Sequence, residues 1–368
     1  MLVVLAALAQ AGAAVASPPP TPDARAWLVE NATTGEVLDA HDVDARMPIA
    51  SLTKLMTVLV ALQHLKLTDV VQVDPRAADV GEESIDLDPG QSITVADLLR
   101  GALIQSANDA ADALALAVSP SFPAFAELMN AKAQQLSLRN THFVRPDGLD
   151  APGEYSSAGD ITLLAQAAMK NPFVRQTVAE QSAVLADGEV VHTWDDLLGV
   201  LPGIVGVKTG HTDEAGWCQV SAQDDDGNLM YVTILGSPDE AQRDADLTRL
   251  LGWASSQYRL VDAVSVNRDY ASVELPYGRG SVALVAAQPL QAFVRNGQSL
   301  VERVVAPLSA SLPVKQGAVL GRVEVYSGKR LLGRRDLVAA RSVAAPGLIT
   351  RIGWYTGRSV HNALGLFS

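Results

Sequence analysis

Helical periodicity ends at about Val261 in this sequence of 368 residues, and that change constrains the fold more than any other feature. Before it, strand-like segments enclose a long run of helical ones. After it, a β-like region interrupted by turns continues to about Arg341, with predicted runs over residues 271–275, 282–285, 300–305 and 319–326. A chain of this length is too long for one ordinary hydrophobic core. We therefore predict two domains, an α+β domain over residues 23–258 and a small all-β domain over residues 261–341.

The first domain is predicted to begin and end with strands. Residues 26–30 and 36–40 flank a turn and are typical of a β-hairpin, and an Asp-rich turn over residues 224–228 joins two later strands. The helices predicted between these strands cover residues 51–62, 95–104, 109–118, 124–136 and 161–170, and another covers about 239–257. This order of elements predicts an antiparallel sheet with a helical cluster packed against it.

The first sixteen residues are apolar or small apart from Gln10, and they end in the small-x-small pattern of residues 14–16. Three prolines follow Ser17. The pattern predicts a secretory signal peptide over residues 1–16 and an exported, periplasmic or otherwise extracytoplasmic protein. The run is too short for a comfortable membrane span. It lacks the positive residues that open such signals, which leaves the true start codon open.

The last segment, residues 342–368, has a distinct composition. No acidic residue follows Asp336, whereas Arg341, Arg351 and Arg358 remain, and apolar residues can share one face of a helix. A basic amphipathic segment is typical of an interfacial anchor, which predicts peripheral contact with the outer face of the cytoplasmic membrane. Four glycines weaken this helix. A tail packed on the β domain, or frayed, remains the alternative.

Composition argues against several classes of function. The formal net charge of −13 argues against nucleic-acid binding, because phosphate recognition needs clustered Lys and Arg. Cys218 is the only cysteine, so neither an intrachain disulfide nor a cysteine zinc site is available, and it is most simply a core residue. The histidines lack metal-ligand spacing. We therefore predict no metal and no cofactor, and the sequence leaves the oligomeric state open.

Ser51-Leu52-Thr53-Lys54 places a hydroxyl and an amine three residues apart at the start of a helix, where they share one face. A serine hydroxyl becomes nucleophilic when a neighbouring base removes its proton, and a lysine amine does this only when neutral. Burial and a second cation both lower a lysine pKa. Alone, this spacing is more often a capping serine with a surface lysine. Ser106-Ala107-Asn108 and Lys208-Thr209-Gly210 supply a hydroxyl, an amide and the second cation.

These three motifs, in this order, resemble those of penicillin-binding proteins and β-lactamases. Residues 49–57, 94–99, 106–111 and 207–213 are similar to the low-molecular-mass D-alanyl-D-alanine carboxypeptidases. The similarity covers residues 26–236 well and the β region, through residues 313–317, more loosely. It implies a penicillin-binding/β-lactamase-like transpeptidase domain followed by the all-β domain. The middle motif reads Ser106-Ala107-Asn108 and so keeps the serine and the asparagine, the two chemically active positions.

The resemblance implies a mechanism. Ser51 would attack the peptide bond between the two D-alanines of a peptidoglycan stem pentapeptide and form an acyl-enzyme, with Lys54 as its base. Ser106 would bridge Lys54 and Lys208 and return the proton to the leaving D-alanine. β-Lactams would acylate the same serine. The resemblance also implies substrate-binding roles for Asn108, Lys208, Thr209, Gly210 and His211. The backbone N–H groups of His211 and Ser51 would together form the oxyanion hole.

Three alternatives stay open at this point. A β-lactamase would need a deacylating glutamate, and no Glu-x-x-Leu-Asn-like segment lies between Asn108 and Lys208. An endopeptidase would use the same site on crosslinked peptides. A catalytically inactive cell-wall scaffold would have lost site residues that this chain keeps. Two departures from the family's pattern concern specificity. Thr193-Trp194-Asp195-Asp196 stands where relatives have an Asn-rich stretch, and acids at that place would weaken the approach of an anionic substrate. Gly159 precedes Asp160 at a position where relatives often have Arg.

Overall fold

The computed structural model describes residues 2–8, 17–352 and 354. Two compact units divide the chain, one formed by residues 17–256 and the other by residues 257–368 together with 1–16. The first strand, β1 (Leu2–Leu8), belongs to the second unit. Most of the predicted signal segment and residues 355–368 of the predicted tail lie outside the described residues.

The first unit contains a five-stranded antiparallel sheet with the strand order β3-β2-β10-β9-β8. Two two-stranded sheets, β4–β5 and β6–β7, lie outside that sheet. The bounds of the strands are β2 Ala26–Asn31, β3 Glu36–His41, β4 Val70–Gln72, β5 Ser92–Thr94, β6 Ser182–Val184, β7 Val190–His192, β8 Ile204–Thr212, β9 Gly216–Asp225 and β10 Asn228–Ser237. The predicted β2–β3 hairpin and the predicted turn between β9 and β10 are confirmed.

The helix α1 is buried nearly all round and contacts α4, α5 and α6, whereas α8 packs on the strands β9 and β10. This arrangement confirms the α+β class. Cys218 is buried in the same core, as predicted. The bounds of the helices are α1 Lys54–His64, α2 Pro75–Ala78, α3 Val95–Arg100, α4 Asn108–Val118, α5 Phe122–Gln135, α6 Ala158–Ala168, α7 Pro172–Thr177 and α8 Glu240–Ser256.

Two predicted helices differ from the structure in their first or last turn. The helix predicted from residue 51 begins as a 3-10 turn, Ala50–Thr53, and becomes α-helical at Lys54. The helix predicted over residues 95–104 is α3 followed by a π-helical turn, Gly101–Gln105. Such departures from the α-helix are frequent at functional sites. The stretch between residues 62 and 92, for which the sequence predicts no helix or strand, contains β4 and α2.

Among its described residues, the second unit is all-β, as predicted, except for a short helix that includes residues 348–352. A six-stranded sheet has the order β1-β15-β16-β17-β13-β12, and β11 pairs with β14. The bounds of its strands are β11 Tyr258–Val264, β12 Asp269–Glu274, β13 Ser281–Ala286, β14 Leu290–Arg295, β15 Leu300–Ala306, β16 Val319–Ser327 and β17 Arg330–Ala339. The strands β11, β14 and β17 lie outside the predicted β-like runs. Within the described ranges, no helix is long and apolar enough to cross a membrane.

Candidate active site

The 3-10 turn at residues 50–53 brings Ser51 and Lys54 together. Side chains three residues apart eclipse one another in this geometry, and Lys54 Nζ lies 2.7 Å from Ser51 Oγ. The neighbours of Ser51 in the turn are buried, which holds the turn in the core, while Ser51 itself stays half-buried and faces a pocket. The predicted contact between hydroxyl and amine is therefore present.

Lys54 is fully buried and has three polar contacts. Besides Ser51 Oγ, its Nζ donates to Asn108 Oδ1 at 2.7 Å and to the carbonyl oxygen of Asp147 at 2.6 Å. A neutral amine has two N–H groups and one lone pair. With both N–H groups directed at these two oxygens, the lone pair is left facing Ser51. Burial lowers the pKa of Lys54 to about 8, against the opposing effect of acids that include Asp147 and Asp112.

Ser106 follows the π-helical turn and adopts a left-handed backbone conformation, with φ of 63°. This conformation directs its Oγ toward Lys208 Nζ, which donates a hydrogen bond to it at 2.8 Å. Lys208 is buried on β8, and its pKa is lowered well below the ordinary value by that burial and by the positive charge of Lys54. The predicted Ser106 bridge needs hydrogen bonds with both Lys208 and Lys54, and the structure contains the one with Lys208. The three polar contacts of Lys54 are with Ser51 and two other residues, not with Ser106.

Asn108 occupies the first position of α4 and has both ends of its side-chain amide engaged. Its Oδ1 accepts from Lys54, and its Nδ2 donates to the carbonyl oxygen of Gly81 at 3.0 Å. Its backbone N–H donates to the carbonyl oxygen of Glu83 at 2.7 Å. Asn108 therefore fixes Lys54 and fastens the loop at residues 81–83 beside the pocket. Its predicted contact with the substrate backbone stays a prediction.

Two glycines allow the backbone to pass close to the serine turn. A Cβ on Gly210 would lie 2.9 Å from the backbone nitrogen of Ser51, so β8 approaches that N–H as only glycine allows. Gly148 has φ of 85°, and a Cβ there would lie 2.2 Å from the carbonyl oxygen of Ala50. This close approach places the preceding residue, Asp147, where its carbonyl meets Lys54.

A pocket with a volume of about 180 Å³ opens above these groups. Lys54 and Lys208 are buried beneath its floor. On one wall, the ring of His211 stacks on that of Trp217 with a centroid separation of 4.3 Å, so this side chain acts as part of the wall. The predicted residues that line the pocket are Ser51, Ser106, Asn108, Thr209, Gly210 and His211, and those not predicted are Glu82, Glu83, Leu149, Thr212, Trp217, Glu240 and Arg243.

Comparison with known proteins identifies the family. The family model for D-alanyl-D-alanine carboxypeptidase matches residues 13–238. The chain belongs to this family. A second model, for the C-terminal domain of penicillin-binding protein 5, matches residues 258–345. The resemblance inferred from the three motifs is therefore confirmed, and so is the serine-type carboxypeptidase class.

Relatives of this carboxypeptidase are similar over most of its length. The D-alanyl-D-alanine carboxypeptidase DacF of Bacillus subtilis is 30% identical over 342 residues, which cover 89% of this chain and 88% of DacF. Penicillin-binding protein 5 from Haemophilus influenzae is 27% identical, with a TM-score of 0.66, over 89% of this chain and 100% of the other. Penicillin-binding protein D2 from Listeria monocytogenes, in an ampicillin-bound form, is 29% identical, with a TM-score of 0.60, over 65% of this chain and 100% of the other.

In the segment Thr193-Trp194-Asp195-Asp196, which replaces the family's Asn-rich stretch, the tryptophan and the first aspartate point in different directions. Trp194 lines the pocket, and its ring N–H donates to the carbonyl oxygen of Gln105 at 2.9 Å. Asp195 is buried instead, and that burial raises the pKa of its carboxyl. Asp195 therefore repels an anionic substrate only weakly in the carboxypeptidase, whereas Asp196, the second acid of this segment, is exposed. The pocket is bordered there by an aromatic ring.

Replacing Gly210 with alanine is expected to lower the rate of acylation by about 10- to 100-fold, because the added Cβ would push β8 away from the backbone of Ser51. The measurement is the second-order rate constant for a fluorescent penicillin. Gly252→Ala is the matched control, since a Cβ on that helical glycine meets no atom within 4 Å. Equal rates for the two variants would contradict the close approach.

Proposed function

We propose that Ser51 is the nucleophile of this D-alanyl-D-alanine carboxypeptidase and that it removes the terminal D-alanine of peptidoglycan stem pentapeptides. One observation carries the assignment. Lys54 is buried, its N–H groups are directed at Asn108 and Asp147, and its nitrogen lies 2.7 Å from Ser51 Oγ. A base held in that orientation accepts the serine proton without reorganisation.

In acylation, Lys54 Nζ takes the proton of Ser51 as its Oγ attacks the carbonyl carbon between the two D-alanines. The backbone N–H groups of Ser51 and His211 stabilise the oxygen that becomes negative. The carbon–nitrogen bond then breaks, and the leaving amine takes the proton of the Ser106 hydroxyl, which is replaced by the proton that Lys54 took from Ser51. The hydrogen bond from Lys208 supports that hydroxyl as a proton donor. Water then attacks the ester, frees the Ser51 oxygen and releases the shortened peptide.

The carboxylate of the terminal D-alanine binds beside β8 in this proposal. Lys208 and Thr209 supply the positive charge and the hydroxyl, and Gly210 leaves room for the substrate backbone along the strand. Asn108 contacts the peptide from the opposite side of the pocket. A free carboxylate next to the scissile bond is what distinguishes a carboxypeptidase substrate from a crosslinked one.

Release of D-alanine tests the assignment. The full chain, incubated with a D-Ala-D-Ala pentapeptide, is expected to release one free D-alanine per peptide, and one equivalent of penicillin is expected to stop it. A crosslinked peptide dimer is expected to be cut much more slowly. Faster cleavage of the dimer would favour the endopeptidase alternative, and rapid hydrolysis of penicillin would favour a β-lactamase. The matches to carboxypeptidases favour neither.

The proposal extends to location. Residues 1–16 act as an export signal, residues 23–258 form the catalytic domain, residues 261–341 form the β domain, and residues 342–368 contact the membrane. In support of the last point, Leu348, Ile349 and Ile352 are exposed beside Arg351. A secreted chain that starts at Ser17 would support the signal, and one that keeps β1 would contradict it.

Membrane contact is tested by flotation with vesicles of anionic phospholipid. The full chain is expected to float with the vesicles, whereas a chain lacking residues 342–368 is expected to stay in the dense fraction. Equal flotation of the two chains would contradict the anchor and would place any lipid contact elsewhere.

A further inference from the structure

A buried carboxyl group behind Lys54 has no role in the mechanism above. Asp112 lies on α4 one turn after Asn108 and on the same face of that helix. It is buried, and its Oδ1 has no hydrogen-bond partner among the described residues. A buried carboxylate without compensation is costly. Asp112 also lies next to Asn108, the residue whose side chain accepts a hydrogen bond from Lys54.

The neighbour of Asp112 is the carboxyl group of Asp147. Burial raises the pKa of Asp112 first, and the charge of Asp147 and a side-chain hydrogen bond with it raise that pKa further. Asp147 is fully buried. Its carboxylate accepts from the guanidinium of Arg145, at 3.0 Å from Nε and 2.6 Å from Nη2, and from the backbone N–H of Leu149 at 2.9 Å. Two adjoining carboxyl groups do not both ionise in a dry interior. Arg145 neutralises Asp147, so Asp112 is the group that retains a proton.

We propose that Asp112 is a positioning residue that holds a proton beside Asp147 and, by losing it in competition with Lys54, sets the pH at which Lys54 becomes the neutral base for the acylation of Ser51. The inference rests on the proposed function. Asp147 is the connecting group, because its carboxylate meets Asp112 while its carbonyl oxygen accepts from Lys54 at 2.6 Å.

The charges around this cluster explain the effect. While Asp112 holds its proton, Arg145 and Asp147 cancel, and this part of the interior offers Lys54 no net negative charge. When Asp112 loses the proton, a net negative charge faces Lys54 and favours its ammonium form, which is not a base. The pKa of Asp112 is raised to about 8, first by burial and then by Asp147. The other charged groups that face Lys54 or its partners are Glu83, Glu154 and Lys208.

Because the pKa values of Lys54 and Asp112 both lie at about 8, the two groups compete for the loss of one proton. In the wild type, part of the population that has lost one proton has lost it from Asp112. Lys54 is still protonated in that part, which is therefore inactive. Asp112→Asn removes the competitor, and the new amide N–H can donate to Asp147 as the carboxyl proton does. The variant should therefore form the neutral amine at lower pH.

The test is the second-order rate constant for acylation by a fluorescent penicillin, measured from about pH 6 to about pH 10. The wild-type rate is expected to rise with pH, and the midpoint for D112N is expected to lie about one pH unit lower. Asp246→Asn is the matched control, because Asp246 is equally buried on a helix but bonds to Asp23, Gln242 and Arg249. Its midpoint should equal that of the wild type.

A midpoint for D112N equal to that of the wild type would overturn the proposal, as would loss of acylation at every pH. A readout independent of the variant is the infrared spectrum of the wild type with labelled aspartate. It should contain a protonated carboxyl band near pH 7 that disappears as the pH rises through about 8. Absence of that band would also overturn the proposal. Failure of the wild type to form a Ser51 adduct would instead refute the proposed function, whatever the infrared result.

Discussion

Replacing Ser51 with alanine is expected to lower the release of D-alanine by at least about 10⁴-fold and to abolish covalent labelling by penicillin. The change removes one oxygen atom from a half-buried side chain whose recorded hydrogen bond is with Lys54. The surrounding turn is held by its buried neighbours, so the melting temperature should stay close to that of the wild type. D-alanine release from the pentapeptide and mass spectrometry of the penicillin-treated protein are the measurements.

Ser255→Ala is a suitable control for the serine variant, because Ser255 lies on α8 and its hydroxyl bonds to Gln223. It should keep full activity. An S51A protein that is folded and still releases D-alanine at a comparable rate would show that another residue is the nucleophile.

Replacing Lys54 with methionine is expected to slow acylation by about 10³-fold, because a general base contributes roughly that factor. Methionine keeps most of the length and apolar volume of the side chain but has no group that accepts the serine proton. The variant should also lose the rise of the rate with pH through about 8 that the lowered pKa of Lys54 predicts. The measurement is the acylation rate constant over that pH range.

The matched control is Lys170→Met, which changes an exposed lysine. It should keep both the rate and the pH dependence of the wild type. If K54M, folded by circular dichroism, kept the same pH-dependent rise, Lys54 would not be the base, and the titrating group would have to be sought elsewhere.

Much of the fold was predictable, because local patterns and tertiary packing agree for its main elements. The β2–β3 hairpin has turn residues at the right offset, and α1 is apolar nearly all round, as a helix at the centre of a cluster must be. The strands β11, β14 and β17 were not predicted. In β17, charged and apolar residues do not alternate simply, since four of its ten residues are arginine or aspartate and a bulge shifts its register.

The candidate site was predictable in its residues but not in its geometry. Motif spacing identified Ser51, Lys54, Ser106 and Lys208, because their chemistry depends on residue type. The 3-10 turn at Ser51 lies against Gly210 of β8, and the left-handed backbone at Ser106 brings its hydroxyl to Lys208 of the same strand. These conformations are therefore not encoded by local propensity.

Two contributors to the site were missed for different reasons. Asp147 contacts Lys54 through its carbonyl oxygen, and a backbone contact has no signature in residue type. Asp112 did leave a signal, because it is an acid within a run of alanine and leucine residues, four residues after Asn108. A buried acid at that spacing from a motif residue is the kind of inconsistency that often marks a functional site.

Mapping the penicillin adduct tests the central claim most directly. The full chain is treated with a labelled penicillin, digested, and the modified peptide is sequenced by mass spectrometry. The account predicts one adduct per chain, on Ser51, formed faster as the pH rises through about 8. An adduct on another residue, or no adduct from a folded protein, would contradict it.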